Sequence, residues 1–291
     1  MKILLLGKTG QAGFELHRTL SPMAPITAPT RADLDLTNHQ AVEEYLEQTQ
    51  PDTIVNAAAW TAVDAAEEHP EEAHRLNADL PAQLARYCAN RGSVLVHYSS
   101  DYVYPGHGTE PWQETSATGP LSVYGQTKLE GDQAIINSGA EHLIFRTSWV
   151  YSARGNNFMK TMLRLAQSKP ELNIVADQVG APTPARLIAA VTALAFQSNI
   201  PGGLYHLAPR GETTWHQFAQ QIFRQAINQG QKLTTGPDQA HPIPTSAYPT
   251  PAKRPLNSRM NLTKLEKALN IELPNWQTQL TLTLTEYLDH Q

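Results

Sequence analysis

The stretch SVYGQTKLEG (122–131) sets Tyr124 and Lys128 four positions apart. On a helix that spacing puts both side chains on one face, with Cβ atoms about 5–6 Å apart. An ammonium beside a phenol eases loss of the phenolic proton. The pair could therefore deliver a proton, but YxxxK is also an ordinary surface-helix pattern, and other groups must meet it before it means anything. Two stretches supply such groups. HYSSDYVYPG (97–106) places Ser100 and Asp101 just past an apolar run, and ILLLGKTGQAGFEL (3–16) places Gly7, Gly10 and Gly13 between an apolar run and an amphipathic one. In a strand–turn–helix unit the first glycine permits a tight turn, the second close approach of a pyrophosphate, and the third tight packing of helix on strand. The helix N-terminus then offers free N–H groups to phosphate. Three glycines in that context predict dinucleotide binding, and a glycine turn that serves packing alone is the alternative.

These groups need elements to hold them. The short apolar runs ILLL (3–6), TIVNAA (53–58), VLVHYS (94–99) and LIFRTS (143–148) predict buried parallel strands. Segments 71–91 and 122–137 carry helical spacing between them, and Gly92 marks a helix stop. Such alternation predicts an α/β doubly wound (Rossmann) parallel sheet, whose ligands lie beyond the carboxyl ends of the strands. Ser100, Tyr124 and Lys128 would then meet above the glycine turn. A strand at 203–208 and a helix at 214–223 are expected later, whereas GAPTPARLI (180–188) and HPIPTSAYPTPAKRP (241–255) are too proline-rich for regular elements. The expected division is a dinucleotide-binding domain over 1–150, with later segments returning to it, and a smaller C-terminal substrate-binding lobe over 151–291.

Composition narrows the function. The net charge is −5 and the 22 Lys and Arg residues are scattered, so no nucleic-acid partner is expected. The N-terminal apolar run breaks at Gly7, and the longest one, LIAAVTALAF (187–196), is half a membrane span, which points to a cytoplasmic protein without a membrane partner. Cys88 is the single cysteine, which excludes an internal disulfide and a cysteine-based zinc site. Past the second strand the first charge is Arg31, with Asp33 and Asp35 slightly further on. An arginine there suits a 2′-phosphate, so NADPH is the favoured cofactor and NADH the alternative. Arg254, in PAKRP, has the fork geometry for a diphosphate. Gly125, inside the expected helix, would leave room for cofactor or substrate.

A hydroxyl residue after the fourth strand followed by YxxxK resembles the extended short-chain dehydrogenase/reductase family. The motifs GKTGQAG, DTIVNAAAWTAVDAAE, HYSSDYVYPG, PLSVYGQTKLEG, FRTSWVYSARGNNF, DQVGAPT, GLYHLAPRGETTW and AYPTPAKRPLNSRMN resemble, within it, the dTDP-4-dehydrorhamnose reductases. The resemblance spans residues 7 to 261 and implies NAD(P)H-dependent reduction of the 4-keto group of a nucleotide sugar, dTDP-4-dehydrorhamnose. It implies Tyr124 as proton donor, Lys128 lowering its pKa and binding the nicotinamide ribose, and Ser100 on the substrate oxygen, where threonine is the usual residue. Gly10, Gln11 and Ala12 would line the pyrophosphate, Asp35 and Leu36 the adenine side, and Ala59, Trp60 and Thr61 the cofactor. Val63, Asp101, Tyr102 and Trp149 would contact the sugar nucleotide. Some members dimerise around a Mg²⁺ held by acidic side chains; Glu15 is in place, but the second position holds Arg186. No metal and no metal-bridged dimer are therefore expected, and the oligomeric state stays open.

Two other readings remain. A nucleotide-sugar dehydratase of this fold would carry an Asp–Glu pair where this chain has Asp101 and Tyr102, and an epimerase would keep its nicotinamide through the cycle. A non-catalytic NADP-binding regulatory subunit would need the fold but not the three catalytic side chains.

Overall fold

A computed structural model describes residues 1–290. In chain order it contains β1 (Ile3–Leu6), α1 (Gln11–Leu20), β2 (Ile26–Thr27), α2 (His39–Thr49), β3 (Thr53–Asn56), α3 (Val63–Glu68), α4 (Pro70–His74), α5 (Leu80–Arg91), β4 (Val94–Ser100), α6 (Val123–Asn137) and β5 (His142–Thr147). There follow β6 (Val150–Tyr151), α7 (Phe158–Ser168), β7 (Leu172–Val175), β8 (Val179–Gly180), β9 (Thr183–Pro184), α8 (Ala185–Ser198) and β10 (Gly203–His206). The last elements are β11 (Thr213–Thr214), α9 (Trp215–Asn228), β12 (Ala240–Ile243), α10 (Thr263–Leu269) and α11 (Trp276–Leu288).

Six parallel strands form the central sheet in the order β2-β1-β3-β4-β5-β10. Both faces are covered, which is why its strands read as unbroken apolar runs. Alternate residues serve opposite faces. Ile3, Leu5, Val55, Val96 and Phe145 join Leu16 and Leu20 of α1 and Ile188 and Val191 of α8. Leu4, Leu6, Ile54, Leu95 and Ile144 join Val42 and Leu46 of α2 and Leu84 and Cys88 of α5. The chain reverses direction across the sheet between β1 and β3, and this switch point opens the crevice where such sheets bind ligands. Gly92 ends α5 in the left-handed region, as its sequence position suggests.

A second apolar core lies off the sheet, where Met159, Leu163, Phe218, Phe223, Trp276 and Leu280 from α7, α9 and α11 meet. No described helix is long and apolar enough to cross a membrane; LIAAVTALAF lies within α8, against the sheet.

One local expectation gains a detail and two are corrected. The segment 71–91 is helical throughout, with a π-type turn over Arg75–Asp79 between α4 and α5. It passes so close to α6 that a Cβ on Gly131 would stand 2.1 Å from the Asn77 carbonyl oxygen. The proline-rich 180–188 holds the strand β9 and the start of α8, because Pro184 sits at the N-cap, where no intrahelical N–H is needed. Pro242 lies in β12, which pairs only with β7, so one of its edges needs no donor.

Candidate active site

The carboxyl ends of β1, β3, β4 and β5 open into one cleft of about 740 Å³. Of the residues singled out from sequence, Gly7, Gly10, Gln11, Ala12, Arg31, Asp35, Leu36, Ala59, Thr61, Val63, Ser100, Asp101, Tyr102, Tyr124, Lys128 and Trp149 line it. Gly13, Trp60 and Arg254 do not.

At the nucleotide end, Gly7 has φ +85°, which side chains rarely adopt, and its missing Cβ would sit 2.7 Å from the Ala57 backbone. Gly13 acts one layer behind: a Cβ there would stand 2.0 Å from the Gly7 carbonyl oxygen, so it brings α1 onto the turn. Gln11 is tied to the far side of the cleft, its Oε1 accepting from Asn157 Nδ2 at 2.8 Å. Asp33 and Asp35 are both spent on local turns. Asp33 Oδ2 accepts from the N–H and hydroxyl of Thr30, and Asp35 Oδ1 accepts from those of Thr37 at 2.9 and 2.7 Å. These bonds hold both carboxyls below the usual range. Arg31 has no ion-pair partner within salt-bridge distance among the described residues, so its guanidinium is open to an anionic ligand.

Trp60 lies between two residues of the cleft lining, Ala59 and Thr61, and its backbone is anchored from behind. Asn77, in the π-type turn, grips its backbone from both sides, accepting from Trp60 N at 2.9 Å and donating to Trp60 O at 3.1 Å. This fixes the course of the chain past Ala59 and Thr61.

At the chemical end, α6 begins at Ser122, whose side chain accepts from the Gly125 N–H. Tyr124 and Lys128 follow on one face, and the Tyr102 and Tyr124 rings meet edge to face at 5.4 Å. Burial pushes the Tyr124 phenol up to about 12, while the adjacent Ser100 hydroxyl pulls it down. Burial likewise lowers Lys128 to about 8, with the Asp132 carboxylate acting in the opposite direction. Lys128 Nζ donates to the Tyr98 carbonyl at 2.7 Å and lies 3.2 Å from His97 Nε2. Gly125 leaves room for protein, not for cofactor or substrate as expected. A Cβ there would stand 2.3 Å from the Tyr102 carbonyl oxygen, so the glycine lets α6 close on the loop after β4.

Ser100 donates to Asp101 Oδ1 at 3.0 Å and accepts from the Tyr102 N–H at 3.2 Å. Burial raises Asp101 to about 6, against the opposing pull of the Ser258 and Ser100 hydroxyls. Beneath these groups Asp132 Oδ2 accepts from Ser99 Oγ and Arg146 Nε, both at 2.9 Å, and Arg146 donates onward to Tyr104.

Trp149 follows β5 with φ +50°, and its indole lies on that of Trp215. Trp215, at the start of α9, also lines the cleft and escaped the sequence reading. A tryptophan on the first turn of a helix after a threonine cap was the available signal. Arg254 is bound by Asp64 at 2.7 Å outside the cleft lining, but its Nη1 is buried without a partner. Glu15 is buried on α1 near Arg18, Glu286, Arg186 and Arg154, and burial raises its pKa. Among the described residues no cluster of three or more His, Cys, Asp or Glu could hold a metal.

The chain matches the family model described as the RmlD substrate binding domain over residues 1–289. It is 48% identical over 294 residues to the dTDP-4-dehydrorhamnose reductase of Shigella flexneri, covering 98% of each chain. Among solved structures it resembles a dTDP-4-dehydrorhamnose reductase from Clostridium acetobutylicum, with TM-score 0.90, 34% identity and coverage of 100% and 99% of the two chains. It also resembles the Bacillus anthracis dTDP-4-dehydrorhamnose reductase in complex with NADP, with TM-score 0.89, 30% identity and coverage of 98% and 99%. A full-length family match on a cleft that joins a glycine turn to Ser100, Tyr124 and Lys128 places this chain in the RmlD substrate binding domain family.

Proposed function

We propose that this chain reduces the 4-keto group of dTDP-4-dehydro-β-L-rhamnose to give dTDP-L-rhamnose, the last step of dTDP-L-rhamnose synthesis, using NADPH with NADH as the alternative donor. The observation that carries this reading is the meeting of Ser100, Tyr124 and Lys128 in the same cleft as the Gly7–Ala12 turn.

The cleft fits a nicotinamide dinucleotide. Gly7, Gly10, Gln11 and Ala12 would hold the pyrophosphate at the start of α1, and Ala59 and Thr61 the ribose and nicotinamide side. Arg31 would meet a 2′-phosphate, with Leu36 and Asp35 beside the adenine. When bound, the reduced nicotinamide supplies hydride to the substrate carbonyl carbon. The protein's own part is to stabilise and protonate the oxygen. Tyr124 keeps its proton throughout the neutral range, as a general acid must, and gives it up at Oη. Ser100 supplies a second polar contact at the same oxygen. Lys128 would bind the nicotinamide ribose.

Val63, Asp101, Tyr102, Trp149 and Trp215 would hold the sugar nucleotide, and the unpartnered Nη1 supports Arg254 as a donor to its diphosphate. On this reading residues 1–150 mainly bind cofactor and 151–291 mainly bind substrate. The enzyme works in the cytoplasm without a nucleic-acid or membrane partner. Arg186 beside Glu15 opposes a Mg²⁺ bridge between subunits.

A dehydratase is disfavoured because burial raises the Tyr102 phenol further above its ordinary value, leaving no base beside Asp101. A non-catalytic subunit has no need of three polar side chains assembled in one cleft. The test is NADPH oxidation with dTDP-4-dehydrorhamnose, repeated with NADH. Turnover is expected, and its absence with both cofactors overturns the proposal.

A further inference from the structure

The side-chain amide of Gln11 can present either its oxygen or its nitrogen to the cleft, and only the nitrogen can donate to a phosphate oxygen. The choice is made from the far side of the cleft. The Lys160 N–H can only donate, and it meets Asn157 Oδ1 at 3.1 Å, where Asn157 caps α7. Asn157 Nδ2 is therefore the donor end of that amide. Its other neighbours agree, because the carbonyl oxygens of Ser152 at 2.7 Å and Arg154 at 3.3 Å can only accept. The remaining partner of Nδ2 is Gln11 Oε1 at 2.8 Å. Gln11 makes no other side-chain hydrogen bond among the described residues, so its Nε2 stays free on a side chain that lines the cleft.

The segment that carries Asn157 is seated on α1. The Arg154 guanidinium lies over the Phe14 ring, 3.9 Å from its centre. Gly155 comes so close that a Cβ there would stand 3.1 Å from Gln11 Cγ, and Gly155 and Asn156 line the same cleft as Gln11. Ser152 Oγ closes the turn by accepting from the Arg154 N–H at 2.9 Å. Gln11 is the first residue of α1; its N-cap, Gly10, supplies no side-chain cap, and no acid lies in the first turn. The orphan N–H groups that a helix start leaves and Gln11 Nε2 thus form one set of donors, which suits a ligand that carries negative oxygens.

We infer that Asn157 is the positioning residue for Gln11: from the second core it fixes the Gln11 amide with Nε2 toward the cleft, where Nε2 donates to the cofactor's pyrophosphate. The inference deepens the dinucleotide reading of the glycine turn and rests on it. It gives the chain beyond residue 150 a part in the cofactor site.

The test is NADPH binding by the full-length protein without substrate, followed by fluorescence. Asn157→Asp keeps an oxygen for the Lys160 N–H, but its carboxylate has no hydrogen to give. Gln11 must then turn Nε2 to the carboxylate and its oxygen to the cleft. The affinity for NADPH should fall about 10- to 100-fold, the worth of a hydrogen bond to a charged group. Gln11→Met removes the amide and should weaken binding by a similar factor. In the Gln11→Met background Asn157→Asp should cost much less than in the parent, a coupling that a purely structural role for Asn157 would not produce. In the parent, the Gln11 side-chain amide signal in ¹⁵N NMR, assigned through backbone connectivity, should move on addition of NADP⁺. A Gln11 amide that ignores bound NADP⁺ overturns the inference, whether or not either variant folds. So does parental affinity in Asn157→Asp, or an undiminished effect of that change in the Gln11→Met background. A parent that does not bind NADPH overturns the dinucleotide reading and the inference with it. A parent that binds NADPH but does not oxidise it with dTDP-4-dehydrorhamnose counts against the reductase reading alone.

Discussion

Trp149 and Trp215 lie face to face, their ring centres 3.7 Å apart and their planes 13° from parallel. They are 66 positions apart in the chain, one after the fifth strand of the sheet and the other opening α9 of the second core. The stack therefore pins the second core to the rim of the cleft. Trp215 is itself held by Phe158 at 4.6 Å and by a hydrogen bond from its Nε1 to Gln178. Trp149 depends on it more, since φ +50° is a costly backbone for a bulky residue unless its surroundings enforce it.

Trp215→Ala is expected to raise the KM for the nucleotide sugar about 2- to 10-fold, the size of an aromatic pair's contribution beyond simple burial. The kcat should change much less, because no reacting atom is touched. Steady-state kinetics at saturating NADPH check this, and an unchanged KM would remove Trp215 from the binding surface.

Tyr124→Phe should lower kcat by about 10²- to 10⁴-fold, the usual worth of a positioned general acid. Ser100→Ala should cost about 10²-fold. In both variants NADPH binding, followed by its fluorescence, should survive. A Tyr124→Phe enzyme of parental rate would mean that the proton comes from elsewhere.

Arg31→Ala tests the nucleotide end of the cleft. Loss of a charged hydrogen bond worth about 1.5–3 kcal/mol should raise the KM for NADPH about 10- to 100-fold and leave that for NADH nearly unchanged. Equal effects on both cofactors would show that Arg31 does not read the 2′-phosphate.

Asp101 carries a pH signature. Its folded pKa is raised to about 6 from an ordinary value of 3.8. Between those two values the native state keeps a proton that the unfolded state has released, so this group makes stability fall as pH rises through the window, and the loss is complete above about 6. Thermal melts from pH 4 to 7 should show this decline in the parent relative to Asp101→Asn. If the carboxylate is the form that holds the sugar nucleotide, kcat/KM should fall on the acid side of about 6, and that limb should vanish in Asp101→Asn. Parallel melting curves for the two proteins would rule out the raised pKa.

What could be read from sequence was local chemistry. The glycine turn, the strand-end Ser100 and the Tyr124–Lys128 spacing are set within a few residues, and the parallel sheet announces itself through apolar runs buried on both faces. Trp215 was missed because the threonine cap marks where α9 begins but not that its first residue stacks on Trp149 at the rim of the cleft. Gly125 was misread for a related reason: a glycine in a helix signals close approach but not what approaches, and here it is the Tyr102 carbonyl. Arg254 and Trp60 carried plausible chemistry, but their partners were not legible: Asp64 takes one edge of the guanidinium, and the Trp60 indole N–H turns to the Ala62 carbonyl. The prolines at 184 and 242 hid regular elements because proline excludes only the places where an N–H is needed.

The sixth strand of the central sheet, Gly203–His206, and the helix before it, Ala185–Ser198, come late in the chain. During synthesis, a nascent chain with only its first 150 residues outside the ribosome would leave Leu16 and Leu20 without their α8 partners and one edge of β5 unpaired. Exposed apolar faces and open strand edges are what drive aggregation of folding intermediates. A chain that stalls before residue 206 would thus be poorly soluble and open to proteolysis. Completion of the chain, rather than of its cofactor-binding half, becomes the point at which the enzyme is safe from quality control.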